Sequence, residues 1–133
     1  MVCVYCHEKL GVINSRIQKK QNNVWRRRRC PNCGALFTTS ESIDLSKVLM
    51  IKRPNSQLEP FSREKLLSSI YESCKHRKTP EKDAESLTAT IITKVFATNS
   101  DATIELNSIK ELVTEVLTNF DKASASHYKA YHC

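Results

Sequence analysis

Two Cys-x-x-Cys pairs constrain the fold of this chain more than any other feature. Cys3 and Cys6 form the first pair, Cys30 and Cys33 form the second, and 23 residues lie between the pairs. Zn²⁺ takes four thiolates in a tetrahedron, and the two-residue spacing lets each pair turn around the ion as a knuckle. The intervening segment has room for a β-hairpin. The spacing therefore predicts a ribbon that holds one zinc ion per chain.

The segment around these cysteines offers few side chains for an apolar core. The candidates are Val12, Ile13, Val24, Trp25, Leu36 and Phe37. About 45 residues cannot usually hold a fold by apolar burial alone, whereas zinc binding supplies roughly 10–16 kcal/mol to the folding of such modules. We therefore expect residues 1–46 to fold around the metal.

Other uses of the cysteines fit less well. The run from Cys3 to His7 matches the C-x-x-C-H haem attachment pattern, but that attachment requires export, no signal peptide is recognised, and the second pair stays unexplained. A thioredoxin-like redox pair needs a βαβ context that is missing here. Four thiolates also leave no open metal position for water, which disfavours a metal-dependent enzyme. We expect no catalytic residues, and we expect His7 at the surface.

The positive charge of the chain is concentrated in its N-terminal part. Residues 1–53 hold 11 Lys/Arg and 3 Asp/Glu, whereas residues 54–133 hold 10 and 11. Arg26–Arg29 run directly into the second Cys pair, and Arg16 lies upstream. Because strand side chains alternate, about two arginines of the run should reach one face. Arginine binds phosphate and reads guanine, so the pattern predicts a nucleic acid as a partner, against the alternative of a solvated charge run.

Strand and helix signals follow the ribbon. Residues 47–53 are typical of a strand, 54–57 of a turn, and Leu58–Pro60 of a second short strand, which together make a β-hairpin. Helices are expected to open at Ser62, at Thr79 with Pro80 in the first turn, and near Asn107, with a short fourth helix over 123–133. The predicted inward stripes are Leu66, Leu67, Ile70, Tyr71 and Cys74, then Leu87, Ile91, Val95 and Phe96, then Ile109, Leu112, Val113, Val116, Leu117 and Phe120. Tyr128 and Tyr131 lie in the fourth helix. The fold class is therefore α+β.

A weaker signal concerns a phosphate ligand. Lys52 and Arg53 lie at a strand end, and Lys65 lies in the first turn of the following helix, where free N–H groups and the helix dipole favour an anion. These three side chains could converge on a triphosphate, or they could be ordinary surface cations. A Walker A pattern is missing, which excludes a P-loop NTPase. With no apolar run long enough for a bilayer and no signal peptide, we expect a cytoplasmic protein without a membrane partner.

Several segments, taken in order, resemble the NrdR family of bacterial repressors of ribonucleotide reductase genes. They are the two Cys pairs, Val12–Arg16, Arg26–Gly34, Phe37–Glu41, Ile51–Arg53, Glu59–Phe61, Arg63–Leu66 and Ile109–Val113. The resemblance covers nearly the whole chain. It departs at Asn14, where the family usually has Asp, and at Pro54-Asn55, which stand in place of an Asp-Gly turn.

This resemblance implies a zinc-ribbon DNA-binding domain over residues 1–46 and an ATP-cone domain over residues 47–133. The cone binds ATP or dATP, changes homo-oligomeric assembly and so controls operator binding at the nucleoid. The implied DNA contacts are Arg16, Arg26, Arg27, Arg28 and Arg29. The implied nucleotide residues are Lys52, Arg53 and Lys65 on the phosphate side, with Met50 and Glu59 as pocket neighbours. The alternative is a non-enzymatic ATP-cone accessory protein whose ribbon binds a protein such as a reductase or polymerase.

Overall fold

The computed structural model describes residues 1–132, which form two compact units. The first unit is Met1–Ile43, and the second begins at Asp44. The first unit is a three-stranded antiparallel sheet in the order β1-β2-β3. Its strands are β1 (Gly11–Gln18), β2 (Asn23–Arg29) and β3 (Leu36–Ser42). The expected β-hairpin between the Cys pairs is thus confirmed as β1 and β2.

The core of the first unit is smaller than the sequence suggests. Its buried residues are Cys3, Leu10 and Cys30, with Cys6, Ala35 and Phe37 packed against them. Val12, Ile13 and Leu36 are exposed, so their assignment to the core was wrong. A single-layer sheet has no second layer within the unit to cover its faces, and apolar side chains along its strands therefore stay at the surface. Full burial is confined to the cysteine knuckles and to Leu10 beside them.

Up to residue 132, the second unit contains a small mixed sheet and four helices. It begins with a 3-10 turn over Leu45–Lys47, in which the Asp44 side chain accepts a hydrogen bond from the backbone N–H of Ser46. The strand expected over residues 47–53 is shorter than predicted and spans Met50–Lys52. The elements that follow are β4 (Met50–Lys52), β5 (Leu58–Pro60), α1 (Arg63–Cys74), α2 (Pro80–Thr98), β6 (Thr103–Glu105), α3 (Leu106–Phe120) and α4 (Lys122–His132). The sheet has the order β5-β4-β6. Its strand β6 was not predicted, and it pairs with β4 in parallel.

The helix starts follow from local capping. The Ser62 hydroxyl accepts a hydrogen bond from the backbone N–H of Lys65 at 3.2 Å, which confirms Ser62 as the N-cap of α1. Pro80 opens α2 after Thr79, as predicted. The predicted end of the fourth helix at residue 133 lies outside the described residues.

Helices α1 to α4 surround one apolar core together with Leu49, which immediately precedes β4, and Ile104 of β6. Its most buried side chains in the helices include Ile70, Cys74, Ile91, Val95, Val113 and Leu117. Phe96 is 43% exposed and was wrongly assigned to the core, because it lies about 100° around the helix from buried Val95. Phe120, at the end of its stripe, is also partly exposed, with the guanidinium of Arg77 over its ring at 4.3 Å. Within residues 1–132, no helix combines the length and apolarity that a membrane span requires.

Candidate functional site

The four predicted metal ligands come together in one cluster. The sulfur atoms of Cys3, Cys6, Cys30 and Cys33 all lie within 4.8 Å of one another. The Cys3 and Cys33 sulfurs are 3.6 Å apart, and the Cys6 and Cys30 sulfurs are 3.3 Å apart, so each contact joins the two pairs. A tetrahedral site with Zn–S bonds of about 2.3 Å has its sulfurs about 3.8 Å apart. The donor set and its spacing therefore fit a single four-thiolate zinc ion.

The two knuckles repeat one backbone turn. The N–H of His7 donates to the Cys3 carbonyl at 3.0 Å, and the N–H of Gly34 donates to the Cys30 carbonyl at the same distance. Both residues adopt left-handed backbone angles, with φ of 66° at His7 and 76° at Gly34. Glycine accepts this conformation without strain, whereas a side chain costs energy there. The turn brings each Cys pair to the metal position.

The thiol groups of the cluster do not ionise alike. The backbone N–H of Glu8, then the side chain of Asn32 and the Cys30 thiol, lower the pKa of Cys6 to about 6. At Cys33 the Ala35 amide lowers the pKa, but burial and the three neighbouring sulfurs raise it more, to about 11. Four thiolates this close repel one another, so full deprotonation requires a cation among them.

The four consecutive arginines lie on β2, the central strand of the ribbon sheet. The pairing of β2 with β3 is continuous from Asn23 to Arg29, so its side chains alternate strictly between the two faces. Trp25, Arg27 and Arg29 lie on one face. Val24, Arg26 and Arg28 lie on the other. The predicted run is therefore divided two and two between the faces.

The first face, called here the Trp25 face, is polar and basic. Cross-strand pairing puts Arg16 of β1 directly opposite Trp25, and its guanidinium lies 6.0 Å from the indole centroid. Arg27 donates a hydrogen bond to the Thr38 hydroxyl at 3.0 Å. The face comprises Asn14, Arg16, Gln18, Asn23, Trp25, Arg27, Arg29, Leu36, Thr38, Ser40 and Ser42. Within the fully described ribbon, none of these face residues is acidic.

The second face, called here the Val24 face, is more apolar and less basic. Arg26 forms an ion pair with Glu41 at 3.0 Å, and Arg28 donates to the Thr39 hydroxyl. Phe37 packs against the zinc knuckles, and its ring centroid lies 5.8 Å from that of Tyr5. The face comprises Val12, Ser15, Ile17, Val24, Arg26, Arg28, Phe37, Thr39 and Glu41.

Four of the predicted nucleotide residues lie on the small sheet of the second unit or beside it. Met50 and Lys52 share one face of β4, whereas Glu59 of β5 pairs with Ile51 and lies on the face that packs towards the core. The Arg53 guanidinium lies 2.9 and 3.1 Å from the two carboxylate oxygens of Glu59. The sheet thus brings Arg53 and Glu59 together and separates Glu59 from Met50 and Lys52.

The remaining predicted cation, Lys65, is exposed in the first turn of α1. Lys52 in turn lies opposite Glu105 of β6, with 4.0 Å between its ammonium nitrogen and the carboxylate. Glu105 was not predicted from the sequence, because β6 itself was not recognised. Glu41, which forms an ion pair with Arg26, was not predicted either. The alternating pattern of residues 36–42, which is typical of a strand, could have suggested that Glu41 lies beside the arginine strand.

Two open clefts of the second unit lie away from these residues. One, of about 390 Å³, lies between α1 and α2 and is lined by Glu64, Leu67, Ser68, Tyr71, Glu81, Ala84 and Glu85. Its three carboxylates disfavour a triphosphate. The other, of about 670 Å³, is lined by Asn107, Lys110, Glu111, Thr114, Glu115 and Lys129. Among residues 1–132, the linings of these two clefts include none of the five predicted nucleotide residues.

Both units match described protein families. Residues 1–41 match "Transcriptional repressor NrdR-like, N-terminal domain", and residues 49–132 match "ATP cone domain". A protein of Sphingopyxis alaskensis named Transcriptional repressor NrdR is 36% identical over 93% of this chain and 79% of its own length. Proteins with the same name from Lactobacillus delbrueckii subsp. bulgaricus and Clavibacter michiganensis subsp. michiganensis are 32% and 33% identical over 98% of this chain, and over 86% and 83% of their own lengths. These relatives are regulators and not enzymes. The chain belongs to the NrdR family of transcriptional repressors.

Proposed function

We propose that this protein represses ribonucleotide reductase genes, and that ATP and dATP control its operator binding by changing its homo-oligomeric assembly. The observation that carries the proposal is the four-cysteine cluster, which fixes an arginine-bearing sheet in the first unit. A cone domain follows it in the same chain. DNA binding by a zinc-held ribbon and nucleotide binding by a helical unit together make a nucleotide-responsive repressor acting on DNA in the cytoplasm.

Electrostatics supports DNA as the partner of the ribbon. Residues 1–43 hold 8 Lys/Arg and 2 Asp/Glu. Phosphate contacts by such side chains release counterions, so binding weakens steeply as salt rises. One ribbon offers only a small contact area. Several ribbons in one assembly gain affinity through effective concentration, which links assembly to operator occupancy.

The nucleotide switch is proposed to act through the sheet of the second unit. Lys52, Arg53 and Lys65 would face the phosphates around the end of β4, with Glu59 as a neighbour on the Arg53 side of the sheet and Met50 on the Lys52 side. Arg53 is held by Glu59 in the structure, so an arriving phosphate would compete with that carboxylate for the guanidinium. A nucleotide shifts assembly only by as much as its affinities for the two assembly states differ.

The test is fluorescence anisotropy of the zinc-loaded full chain on a labelled duplex from upstream of the host's ribonucleotide reductase genes. It is run without nucleotide, with ATP and with dATP, and light scattering after gel filtration gives the subunit number in each state. We expect tight, salt-sensitive binding that differs between ATP and dATP in step with subunit number. A scrambled duplex of the same length is the control for specificity.

Other results separate the competing functions. Binding that ignores the nucleotide would overturn the switch and keep the DNA-binding ribbon. A zinc-loaded protein that binds no duplex at any salt concentration would favour the accessory-protein alternative, in which the ribbon binds a protein.

A further inference from the structure

We propose that the ribbon binds double-stranded DNA with the Trp25 face alone, so that only Arg16, Arg27 and Arg29 of the five arginines contact DNA. This inference rests on the proposed function, because it assumes that the ribbon's partner is DNA. It goes further by assigning the interface to one side of a single-layer sheet. Arg26 and Arg28, which lie within the same run, then point away from the nucleic acid.

The charges on the two faces differ. The Trp25 face carries three arginines, and none of the residues that form it in the described ribbon is acidic. The Val24 face carries two arginines, and one of them, Arg26, is paired at 3.0 Å with Glu41. An arginine that already holds a carboxylate gains little from a phosphate, because the two anions compete for it. The formal charge is therefore +3 on the Trp25 face and +1 on the Val24 face, where Arg28 is the arginine without a carboxylate partner among the described residues.

The uncharged side chains favour the same face. Asn14, Gln18 and Asn23 carry amides, and Thr38, Ser40 and Ser42 carry hydroxyls. Amides and hydroxyls are the groups that share phosphate and sugar contacts with arginine at protein–DNA interfaces. Beside these six polar residues the Trp25 face has Trp25 and Leu36, whereas the opposite face has four apolar residues, Val12, Ile17, Val24 and Phe37, and two with hydroxyls, Ser15 and Thr39. Strands of a sheet or ribbon can enter a DNA groove, so a flat polar sheet face is a workable DNA-binding surface.

Packing around the zinc site also leaves the Trp25 face open. Phe37, on the Val24 face, packs against the knuckle core with Tyr5 beside it. In β3 the side chains of the Val24 face at Phe37 and Thr39 are half-buried, whereas Leu36, Thr38 and Ser40 of the Trp25 face are exposed. One end of the Val24 face is thus occupied by the protein itself.

The test compares arginines that adjoin in sequence but lie on opposite faces. The Trp25-face variants are Arg27→Gln and Arg16→Gln, and the matched controls are Arg28→Gln and the charge-neutral double change Arg26→Gln with Glu41→Gln. Each full-length, zinc-loaded protein is titrated onto a fluorescein-labelled random-sequence duplex at several salt concentrations between about 50 and 200 mM. Zinc content establishes that each variant keeps its ribbon.

We expect each Trp25-face variant to bind more weakly and to lose about 0.9 from the magnitude of its salt slope, which corresponds to one phosphate contact. The controls should keep the wild-type slope. Trp25 is the only tryptophan of the chain, so its emission gives a second measurement that needs no substitution. It should change on DNA binding with the same midpoint as the anisotropy.

Two results would overturn the assignment. Equal slope losses on both faces, or larger losses in the controls, would mean that the arginine run acts without regard to face. DNA binding that leaves Trp25 emission unaltered would place the contact elsewhere. If the zinc-loaded wild type binds no duplex at all, the proposed function fails together with the inference. The wild-type titration alone shows this outcome, so it is distinguished from the other two before any variant is made.

Discussion

The imidazole of His76 lies 2.7 Å from the carboxylate of Asp121 and ties the end of α1 to the start of α4. The Ser124 hydroxyl donates to the same carboxylate oxygen at 2.8 Å. The hydrogen bond with His76 has the largest effect on the pKa of Asp121, and that with Ser124 the next largest. Together they lower this pKa to about 2. Arg77 approaches the carboxylate at 3.6 Å and also pairs with Asp83 of α2, so one polar cluster links all four helices.

We predict that Asp121→Asn lowers the thermal midpoint of the helical unit at neutral pH. A carboxylate with a depressed pKa contributes stability above its unfolded pKa, near 4, and loses that contribution as pH falls through about 2. The difference between wild type and variant should therefore shrink between about pH 4 and pH 2. Helix circular dichroism against temperature measures it. Asp101→Asn, at an exposed turn, is the matched control, and a difference that stays constant down to the lowest pH would contradict the explanation.

His7 stands in the left-handed backbone region at the position that Gly34 occupies in the second knuckle. We predict that His7→Gly stabilises the ribbon by about 0.5–1 kcal/mol. Relief of the backbone strain stabilises the folded ribbon, and the greater entropy of glycine in the unfolded chain offsets part of that gain. Gly34→Ala should destabilise the ribbon, although the added methyl group would meet no atom within 4 Å. Denaturant unfolding followed by Trp25 fluorescence gives both values. An equal gain from His7→Ala would show that strain is not the cause.

Loss of one zinc ligand should unfold the ribbon and spare the helices. In Cys30→Ser we expect no bound zinc, Trp25 emission typical of an exposed indole, and helical circular dichroism close to wild type. The reason is that the ribbon core consists of little more than Leu10 and the cysteines, so zinc provides most of its stability. Cys74→Ser alters a buried cysteine outside the cluster and should retain the metal. A zinc-free but folded ribbon would disprove this dependence.

The proposed phosphate side of the nucleotide site can be tested by charge removal. Lys52→Gln should weaken ATP binding by about tenfold, the loss expected for a hydrogen bond to a charged group. Arg53→Gln should weaken it less, because Arg53 has to give up its ion pair with Glu59 before it can bind a phosphate. Isothermal titration calorimetry with ATP measures the affinity. Lys94→Gln is the control, because Lys94 pairs with Glu115 on other elements. Equal weakening in the control would point to net charge as the cause, not to a local contact.

The elements with strong local signals were predicted well. Ser62, and Pro80 after Thr79, marked the starts of two helices, and the cysteine spacing indicated the metal cluster, because capping and zinc chelation act over a few residues. Strand β6 was missed because three residues carry too little periodicity, and its existence depends on pairing with β4 across about fifty residues of chain.

The wrong predictions of which side chains are buried have a different cause. Val12 and Phe96 are apolar, but each lies where the fold brings no second surface, and apolarity alone does not say what will cover a side chain. In the site, alternation anticipated that the arginine run would be divided between two faces. Which arginine is neutralised was not visible, because Glu41 lies 15 residues away and meets Arg26 only through the β2–β3 register.

The two apolar cores described above share no residue: one is built on Leu10 and the cysteines, and the other on side chains such as Ile70, Ile91 and Leu117. Two-state unfolding is a property of one cooperative core. Calorimetry of this chain should therefore show two heat-absorption peaks, of which only one moves when a chelator is added. A single melting temperature has no meaning for such a molecule, and a substitution is assigned to its unit by the peak that it displaces.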